Sequence, residues 1–277
     1  MNFYIMSRGR AKTMTTWKNL PFDVREKTYI VPHYTEVSTY RSVFGDGNVI
    51  EPPEWASENY SNKFQWILHD GMKDGKSKCV ILDDDLRFAT RHGDKHLAIA
   101  SGKQMIELSD ALWSLENHLD SRPLVSFHPR QMAHIQPSPY VENCKVICLQ
   151  AVNREKVGKV KVNQWPILAD VILNAYVLGM GWGNRLLTDV VQDHGSCQAP
   201  GGCSDTRTAE LQRDAVRSIA AKYSGFITAT QKKPKGENWL QDGEGYRWDF
   251  RGQWKKLYEQ APWTKEVYDD RFPKVPL

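Results

Sequence analysis

The chain has 277 residues, of which 40% are hydrophobic and 25% are charged, proportions typical of a soluble globular protein with a substantial core. No apolar run approaches the ~20 residues of a membrane-spanning helix, and the net charge of +4 permits a polyanionic partner without requiring one. The five cysteines are an odd number and the chain starts without a secretory signal, which argues against a disulfide-stabilised secreted protein. We therefore expect reduced thiols in a cytoplasm.

Short apolar runs and helical patterns alternate along most of the chain. Strands are predicted at residues 3–6, 27–32, 48–51, 79–82, 123–128 and 145–151. Helices are predicted at residues 13–20, 59–70, 105–119, 171–178 and 208–223, and a loop at 130–143. This alternation indicates an α/β fold with a mixed, mostly parallel central sheet flanked by helices.

A small basic loop, Ser7-Arg8-Gly9-Arg10, follows the first predicted strand. In open α/β sheets, ligands bind beyond the carboxyl ends of the strands. Guanidinium groups match phosphate oxygens in a bidentate way. Arg8 and Arg10 are therefore candidates for holding a diphosphate, and an ordinary pair of surface arginines is the alternative.

Three consecutive acids, Asp83, Asp84 and Asp85, end the apolar run at residues 79–82. The run is typical of a strand buried on both faces, although a buried helical segment shows the same pattern. Adjacent carboxylates repel each other and are costly to desolvate, and a divalent metal would remove that cost. In an extended chain Asp83 and Asp85 point the same way and could share one cation, whereas Asp84 could contact sugar hydroxyls. A solvated strand end is the alternative.

Asp170 opens a predicted helix. A carboxylate in this place could act as a general base, although a helix cap or first-turn acid occupies the same position. His194 begins a glycine-rich stretch that includes Gly201 and Gly202, and such a loop lets backbone amides approach an anion closely.

A zinc site made of His194, Cys197 and Cys203 is a rival interpretation of this stretch. The spacing fits no common zinc motif, and a fourth ligand is missing locally. We therefore favour the anion-binding interpretation.

The segment 231–277 differs in character from the rest of the chain, because aromatic and cationic residues alternate along part of it. Cations in this segment could contact phosphates, and Trp248 could stack on a base or a sugar. Interspersed acids such as Asp249 favour packing over the preceding domain instead. The candidate acceptor contacts, including one residue before this segment, are Arg207, Arg247, Trp248, Arg251 and Lys255.

Taken in order, these motifs resemble those of nucleotide-sugar-dependent glycosyltransferases of the GT-A type. The resemblance implies that Asp83-Asp84-Asp85 is an Asp-X-Asp motif, which binds Mn²⁺ or Mg²⁺ at the diphosphate of a sugar donor. It also implies that His194 completes the metal site and that Asp170 is the base. In the family pattern an acid precedes that Asp, and here Ala169 replaces it.

More narrowly, the chain is similar to phage glycosyltransferases associated with TET/JBP dioxygenases, over about residues 3–226. The similarity rests on residues 7–10, 82–86 and 192–196, with Gly201, Gly202 and Arg207. It implies transfer from a UDP-sugar to a hydroxymethylated pyrimidine, such as 5-hydroxymethylcytosine, in double-stranded phage DNA, within the host cytoplasm.

The sequence thus predicts a glycosyltransferase domain at residues 1–230 and a C-terminal extension at 231–277 that packs on it or contacts the acceptor. The predicted donor site consists of Ser7, Arg8, Arg10, Asp83, Asp84, Gly201 and Gly202. The predicted metal ligands are Asp83, Asp85 and His194, although in many relatives the first acid faces the donor instead.

Two other functions fit the same residues. One keeps the fold and changes the acceptor to a glycan, a lipid or a protein. The other is a non-catalytic nucleic-acid-binding protein with a degenerate transferase core. The sequence also leaves open whether the sugar's configuration is inverted, with Asp170 as base, or retained, with Asp170 positioning the substrate.

Overall fold

The computed structural model of the chain describes residues 1–69, 71, 75–92, 95–98, 102–133, 136, 139–194, 201–233 and 240–263. Its strands are β1 (Asn2–Met6), β2 (Thr28–Val31), β3 (Lys78–Asp83), β4 (Leu86–His92), β5 (Lys95–Ala98), β6 (Leu124–Pro129), β7 (Tyr140–Glu142), β8 (Leu149–Asn153), β9 (Asn184–His194), β10 (Ile227–Lys232) and β11 (Arg247–Gly252).

The helices are α1 (Thr15–Asn19), α2 (Phe22–Arg25), α3 (Val37–Phe44), α4 (Glu54–Ser57), α5 (Tyr60–His69), α6 (Lys103–His118), α7 (Arg130–Ala133), α8 (Arg154–Val157), α9 (Ala169–Gly179), α10 (Ala209–Lys222) and α11 (Trp254–Gln260). Short 3-10 turns occur at residues 34–36, 46–48 and 202–205. Within the described residues, no helix is long and apolar enough to cross a membrane.

In this part of the chain a nine-stranded sheet has the order β2-β1-β3-β8-β6-β9-β4-β5, and β7 pairs with β9. Strands β1, β2, β3, β5, β6 and β9 run in one direction, and β4, β7 and β8 run against them. The predicted α/β fold with a mixed sheet between helices is confirmed.

The sheet is buried on both faces, as the apolar run before the three acids predicts. Along β3, Cys79 and Ile81 pack into one core with residues of α5 and α9. Val80 and Leu82 pack into a second core with residues of α6. Successive side chains of a strand point to opposite faces, so a strand between two cores needs apolar residues at every position.

Several other predicted elements are confirmed, with boundaries that differ by a few residues, and two predictions are wrong. The strand predicted at 48–51 is reduced to a single bridge between Val49 and Ile30, because residues 46–48 form a 3-10 turn. The loop predicted at 130–143 contains α7 and β7. Strand β9 was not predicted, because it buries the polar residues Asn184, Thr188 and Gln192 and so lacks a simple apolar period.

The topology brings three separate parts of the chain to one edge of the sheet. Met6 is the register partner of Asp83 in the parallel pair β1–β3. His194, at the end of β9, is the partner of Leu86 at the start of β4. Because β1, β3 and β9 run in the same direction, their carboxyl ends lie at the same edge, where α/β proteins bind ligands.

The C-terminal segment packs closely on this sheet-and-helix body. Strand β10 pairs along its whole length with β11, so a hairpin extends across residue 230. Leu257 of α11 and Trp263 are buried, and the Trp263 amide donates to the Gly179 carbonyl at the end of α9 (3.3 Å). The domain division at residue 230 remains a prediction.

Trp263 lies directly against Gly179, and this contact gives a stability prediction. A Cβ atom at residue 179 would come within 1.9 Å of the Trp263 ring, so Gly179→Ala forces the ring out of its pocket. We expect the free energy of unfolding to fall by about 2 kcal/mol, measured by urea denaturation.

Gly47→Ala is the matched control, since a Cβ there meets nothing within 4 Å, and its effect should stay below about 0.5 kcal/mol. In a Trp263→Ala background, Gly179→Ala should lose most of its effect, because the clashing ring is gone. An undiminished effect in that background would contradict the assigned contact.

Candidate active site

A cavity of about 280 Å³ opens at the carboxyl edge of the sheet. It brings together most of the residues that the sequence predicts for the site. They are Ser7, Arg8, Arg10, Asp83, Asp84, Asp85, Asp170, His194, Gly202, Arg207 and Arg247. Gly201 contacts the cavity wall through Arg10, whereas Trp248, Arg251 and Lys255 are not among the lining residues.

The turn formed by Asp84 and Asp85, between β3 and β4, is fixed by the start of α1. The amides of Thr15 and Thr16 donate to the Asp84 carbonyl at 3.0 and 3.1 Å. The Thr16 hydroxyl donates to the Asp83 carbonyl (2.6 Å) and accepts from the Leu86 amide (2.8 Å). The backbone polar groups of the turn are thus hydrogen-bonded by α1. All three acids line the cavity. No feature of the sequence predicts this role for Thr16.

Asp84 is buried in a hydrogen-bond network beneath the basic loop. Ser7 Oγ donates to its Oδ2 at 2.5 Å, and Arg10 Nη1 donates to its Oδ1 at 2.5 Å. Since the Ser7 proton is used, the Tyr40 hydroxyl donates to Ser7 Oγ (2.7 Å), and it accepts from the Arg10 amide (3.0 Å). Burial raises the pKa of Asp84, and Arg10 and Ser7 oppose that rise. These contacts hold the loop in place, and the sugar contact of Asp84 stays a prediction.

Arg10 joins the acidic turn, which consists of residues 83–85, to the glycine loop, which is the described part of the glycine-rich stretch at Gly201 and Gly202. Its Nη1 also lies 3.3 Å from Asp85 Oδ2, and its Nη2 donates to the Gly201 carbonyl at 3.2 Å. Gly201 has a φ of +87°, and a Cβ there would lie 2.7 Å from Arg10 Cγ. Glycine is therefore required at this position for both its conformation and its close approach.

The glycine loop uses its described amides within the protein. Gly202 N donates to the Arg8 carbonyl at 2.8 Å, and Gly201 N donates to Asp205 Oδ1 at 2.9 Å. These two amides are thus directed at protein acceptors, and the approach of this stretch to an anion stays a prediction. Residues 195–200, with Cys197 of the zinc interpretation, and the side chain of Cys203 lie outside the described residues.

Asp83 lies in a strongly negative environment. Burial, followed by the charges of Asp85, Asp170 and Asp84, raises its pKa well above the usual range. The Asp83 amide donates to the Cys148 carbonyl at 3.0 Å. Carboxylates placed this close favour either proton uptake or a bound cation.

Asp170 is the second residue of α9 and accepts from the Val171 amide. It is thus a first-turn acid that also reaches the cavity. Burial raises its pKa, and the positive charges of Lys145 and Arg207 oppose that rise. Leu168, which caps this helix, has a φ of +72°, a costly conformation for a residue with a bulky side chain.

Cys148 adopts a second strained conformation in the same wall. Its φ is +64°, and the Leu149 amide donates to the Ile147 carbonyl at 2.7 Å, which closes a tight three-residue turn of a rare type. Both Cys148 and Leu168 line the cavity. Strain of this kind concentrates at functional sites, where the surrounding structure maintains it.

The donor set suits a cation that is shared with a substrate. Among the described residues, no group of three or more His, Cys, Asp or Glu side chains is close enough to hold a metal ion. Mg²⁺ often binds to one or two carboxylates together with substrate phosphates instead of a complete protein cage. Asp83 and Asp85 fit that mode, and His194 lines the same cavity. The assignment of these residues as metal ligands remains a prediction.

Two lysines that the sequence did not single out also line the cavity. Lys63 of α5 is buried, and its Nζ donates to the Ser7 carbonyl at 2.8 Å. Lys145 lies over the Phe250 ring, 4.7 Å from its centroid. A lysine at a helical position or before a strand carries no distinguishing signal, because most such residues are solvated.

The β10–β11 hairpin forms part of the cavity wall through Arg247, Asp249 and Phe250. Two buried polar atoms beside it, Arg207 Nε and Gln212 Oε1, have no hydrogen-bond partner among the described residues. Such groups are rare in folded proteins and call for an explanation, such as a ligand or water.

Trp248 lies outside the cavity lining. Its indole nitrogen donates to Asp242 Oδ2 at 3.0 Å, and the Arg217 guanidinium lies 5.8 Å from its ring centroid. Arg251 and Lys255 are exposed. Trp248 is thus half-buried against the core, and only Arg251 and Lys255 of these three residues lie on the surface.

No curated protein matches the chain. The apo crystal structure of mouse xyloside xylosyltransferase 1 is similar over 62% of this chain and 71% of that chain, with 11% identity and a TM-score of 0.29. The family model described as TET-associated glycosyltransferase matches residues 1–144, which is more than half of the chain and includes the basic loop and the acidic turn. The chain therefore belongs to the TET-associated glycosyltransferase family.

Proposed function

We propose that this glycosyltransferase uses a divalent metal and transfers a sugar from a UDP-sugar to the hydroxyl of a hydroxymethylated pyrimidine in DNA. The observation that carries the proposal is the cavity itself. In it, the carboxylates of Asp83, Asp84, Asp85 and Asp170 lie among cations from several separate elements. Sugar transfer needs positive charge at the leaving diphosphate and a base at the attacking hydroxyl.

The donor diphosphate is assigned to the part of the cavity that is lined by Arg8 and Lys63. Arg8 is half-buried, and among the described residues its side chain pairs with no carboxylate. The pKa of His33 is lowered first by burial and then by the charges of Arg8 and Lys63, and the charge of Glu36 opposes this change. Both cations therefore act on the same part of the cavity wall. A divalent cation held by Asp83 and Asp85 would neutralise further charge on the leaving diphosphate.

Asp170 is assigned as the general base of an inverting reaction. Its carboxylate accepts the proton of the acceptor hydroxyl while the hydroxyl oxygen forms a bond to the anomeric carbon. The bond from that carbon to the diphosphate oxygen breaks, and its electron pair leaves with the nucleotide. Burial raises the pKa of Asp170, which makes the carboxylate a stronger base than an exposed one. In a retaining reaction, Asp170 would position the acceptor instead.

The acceptor is assigned as DNA for two reasons. Besides Arg8 and Lys63, the cavity is lined by three other cations, Arg207, Arg247 and Lys145. A second group of cations suits an acceptor that is itself anionic. The family's name associates it with TET proteins. Arg251 of the hairpin and Lys255 of α11, both exposed, would then contact the flanking phosphates as part of the C-terminal extension.

Removal of the carboxylates at the acidic turn tests the metal assignment. For Asp85→Asn and Asp83→Asn we expect Mn²⁺-dependent hydrolysis of the UDP-sugar to fall by about 100-fold or more, because each variant removes a charged oxygen ligand. Hydrolysis would be measured by release of UDP. Asp46→Asn is the control, since that side chain is 90% exposed. Metal-independent turnover in the native protein would contradict the assignment.

Replacement of the base tests the acceptor chemistry separately. For Asp170→Asn we expect the rate of transfer to fall by about 10²- to 10⁴-fold, while the Kd for UDP changes less than about threefold, since the nucleotide is bound elsewhere. Single-turnover kinetics and calorimetry measure the two quantities. Asp189→Asn, at an exposed position of β9, is the matched control. Loss of UDP binding in Asp170→Asn would assign this residue to the donor site.

The acceptor is tested with radiolabelled UDP-sugars and three substrates: duplex DNA with 5-hydroxymethylcytosine, unmodified duplex DNA, and glycans. We expect label only on the hydroxymethylated DNA. Arg247→Met should raise KM for that DNA by about tenfold and reduce its salt dependence, whereas Arg41→Met, at a site paired with Glu51, should change neither. Label on glycans alone would exclude DNA. Binding to DNA without label transfer to any substrate would favour a non-catalytic role.

A further inference from the structure

Arg10 makes close contacts with two neighbouring acids at once. A single nitrogen, Nη1, lies 2.5 Å from Asp84 Oδ1 and 3.3 Å from Asp85 Oδ2. The Arg10 side chain is 10% exposed and that of Asp84 is 5% exposed, so their pair is shielded from water. Burial would lower the pKa of Arg10, but the charges of Asp84 and Asp85 raise it. Arg10 therefore remains charged and supplies part of the positive charge that the acidic turn requires.

The two contacts of Nη1 differ in strength. The contact with Asp84 is short and buried, and the Asp84 carboxylate also accepts from Ser7 Oγ. The contact with Asp85 is longer, and the Asp85 side chain is 26% exposed. An incoming cation can therefore reach Asp85 from the cavity while Arg10 stays bound to Asp84.

Arg10 is also held from the opposite side. Its Nη2 donates to the Gly201 carbonyl, and a Cβ at Gly201 would lie 2.9 Å from its Nε. Because the guanidinium is enclosed by the acidic turn and the glycine loop, it has little freedom to turn toward a phosphate. This arrangement differs from the diphosphate contact that the sequence predicts for Arg10.

We propose that Arg10 is a built-in counter-ion of the acidic turn that competes with the divalent metal for Asp85, and that it positions the glycine loop without binding the donor's diphosphate. The proposal rests on the proposed metal site at Asp85. Before the metal binds, Arg10 offsets the repulsion between Asp84 and Asp85. When the metal binds, Asp85 exchanges its contact with Arg10 for the metal, and Asp84 keeps Arg10 in place.

The test compares the native protein with Asp84→Asn and with the double variant Asp84→Asn/Arg10→Met. The double variant removes both members of the buried ion pair, so no buried charge is left uncompensated, and the amide oxygen at residue 84 can still accept from Ser7. Mn²⁺ binding is measured by the electron paramagnetic resonance signal of the free ion. UDP binding is measured by calorimetry without metal.

The two variants should change Mn²⁺ affinity in opposite directions. In Asp84→Asn, Arg10 loses its main partner and pairs more closely with Asp85, so we expect the Kd for Mn²⁺ to rise several-fold. In the double variant Asp85 has no competing cation, so we expect the Kd to fall about tenfold below the native value. The Kd for UDP without metal should stay within about threefold in the double variant. Arg8→Met, the positive control, should raise that Kd about tenfold.

Different failures lead to different conclusions. If all three proteins bind Mn²⁺ equally, the competition is wrong and the proposed metal site stands. If the double variant binds UDP ten times more weakly without metal, Arg10 is a donor ligand and the proposal is overturned. If no protein binds Mn²⁺, the metal site and the competition both fail, while the glycosyltransferase assignment is unaffected.

Discussion

The repulsion among four carboxylates at one edge of the sheet is the constraint on which the site depends. Asp83, Asp84, Asp85 and Asp170 are close enough for three of them to raise the pKa of the fourth, in addition to its burial. Such a cluster is stable only where cations compensate it. Here Arg10 pairs with two of the acids, and Lys145 and Arg207 act on Asp170. Lys145 and Arg207 also line the cavity where the acceptor is proposed to bind, whereas Arg10 is proposed to act only within the protein.

The backbone around the cavity is held in conformations that isolated chains avoid. Leu168 and Cys148 both have positive φ angles. Leu168 is the N-cap of α9, the helix that contains Asp170, and the Cys148 carbonyl accepts a hydrogen bond from the Asp83 amide. The packed cores on both faces of the sheet provide the stability that maintains this strain.

The elements that could be predicted from the sequence are those whose pattern is local. The run at residues 79–82 is apolar at every position, so its burial between two cores follows directly from strand geometry. The order of the basic loop, the acidic turn, Asp170 and His194 groups these residues through its resemblance to the GT-A motifs. In the structure, the parallel strands β1, β3 and β9 end at one edge of the sheet, and α9 adds Asp170. Strand β9 was not predicted because it buries the polar residues Thr188 and Gln192. The Gln192 amide nitrogen finds its acceptors, the Phe127 and Ile147 carbonyls, only in the folded structure.

The partners within the site could not be predicted for the same reason. Nothing in the sequence pairs Arg10 with Asp84 instead of a phosphate, since a guanidinium suits both. Lys63, Tyr40 and Thr16 each occur in ordinary helical or turn contexts, and only the packing of α1, α3 and α5 brings them to the acidic turn or the basic loop. Residue types predicted the chemistry, and long-range contacts decide which residue performs each part.

The contact between Trp263 and Gly179 has a consequence for synthesis of the chain. Helix α9 carries Asp170 in its first turn and is covered by Trp263 at its last residue. A ribosome completes the basic loop, the acidic turn and α9 well before it reaches residue 263, at about 5–20 residues per second. The nascent enzyme therefore carries its proposed donor-site residues for several seconds while the far end of the helix bearing the proposed base is still uncovered.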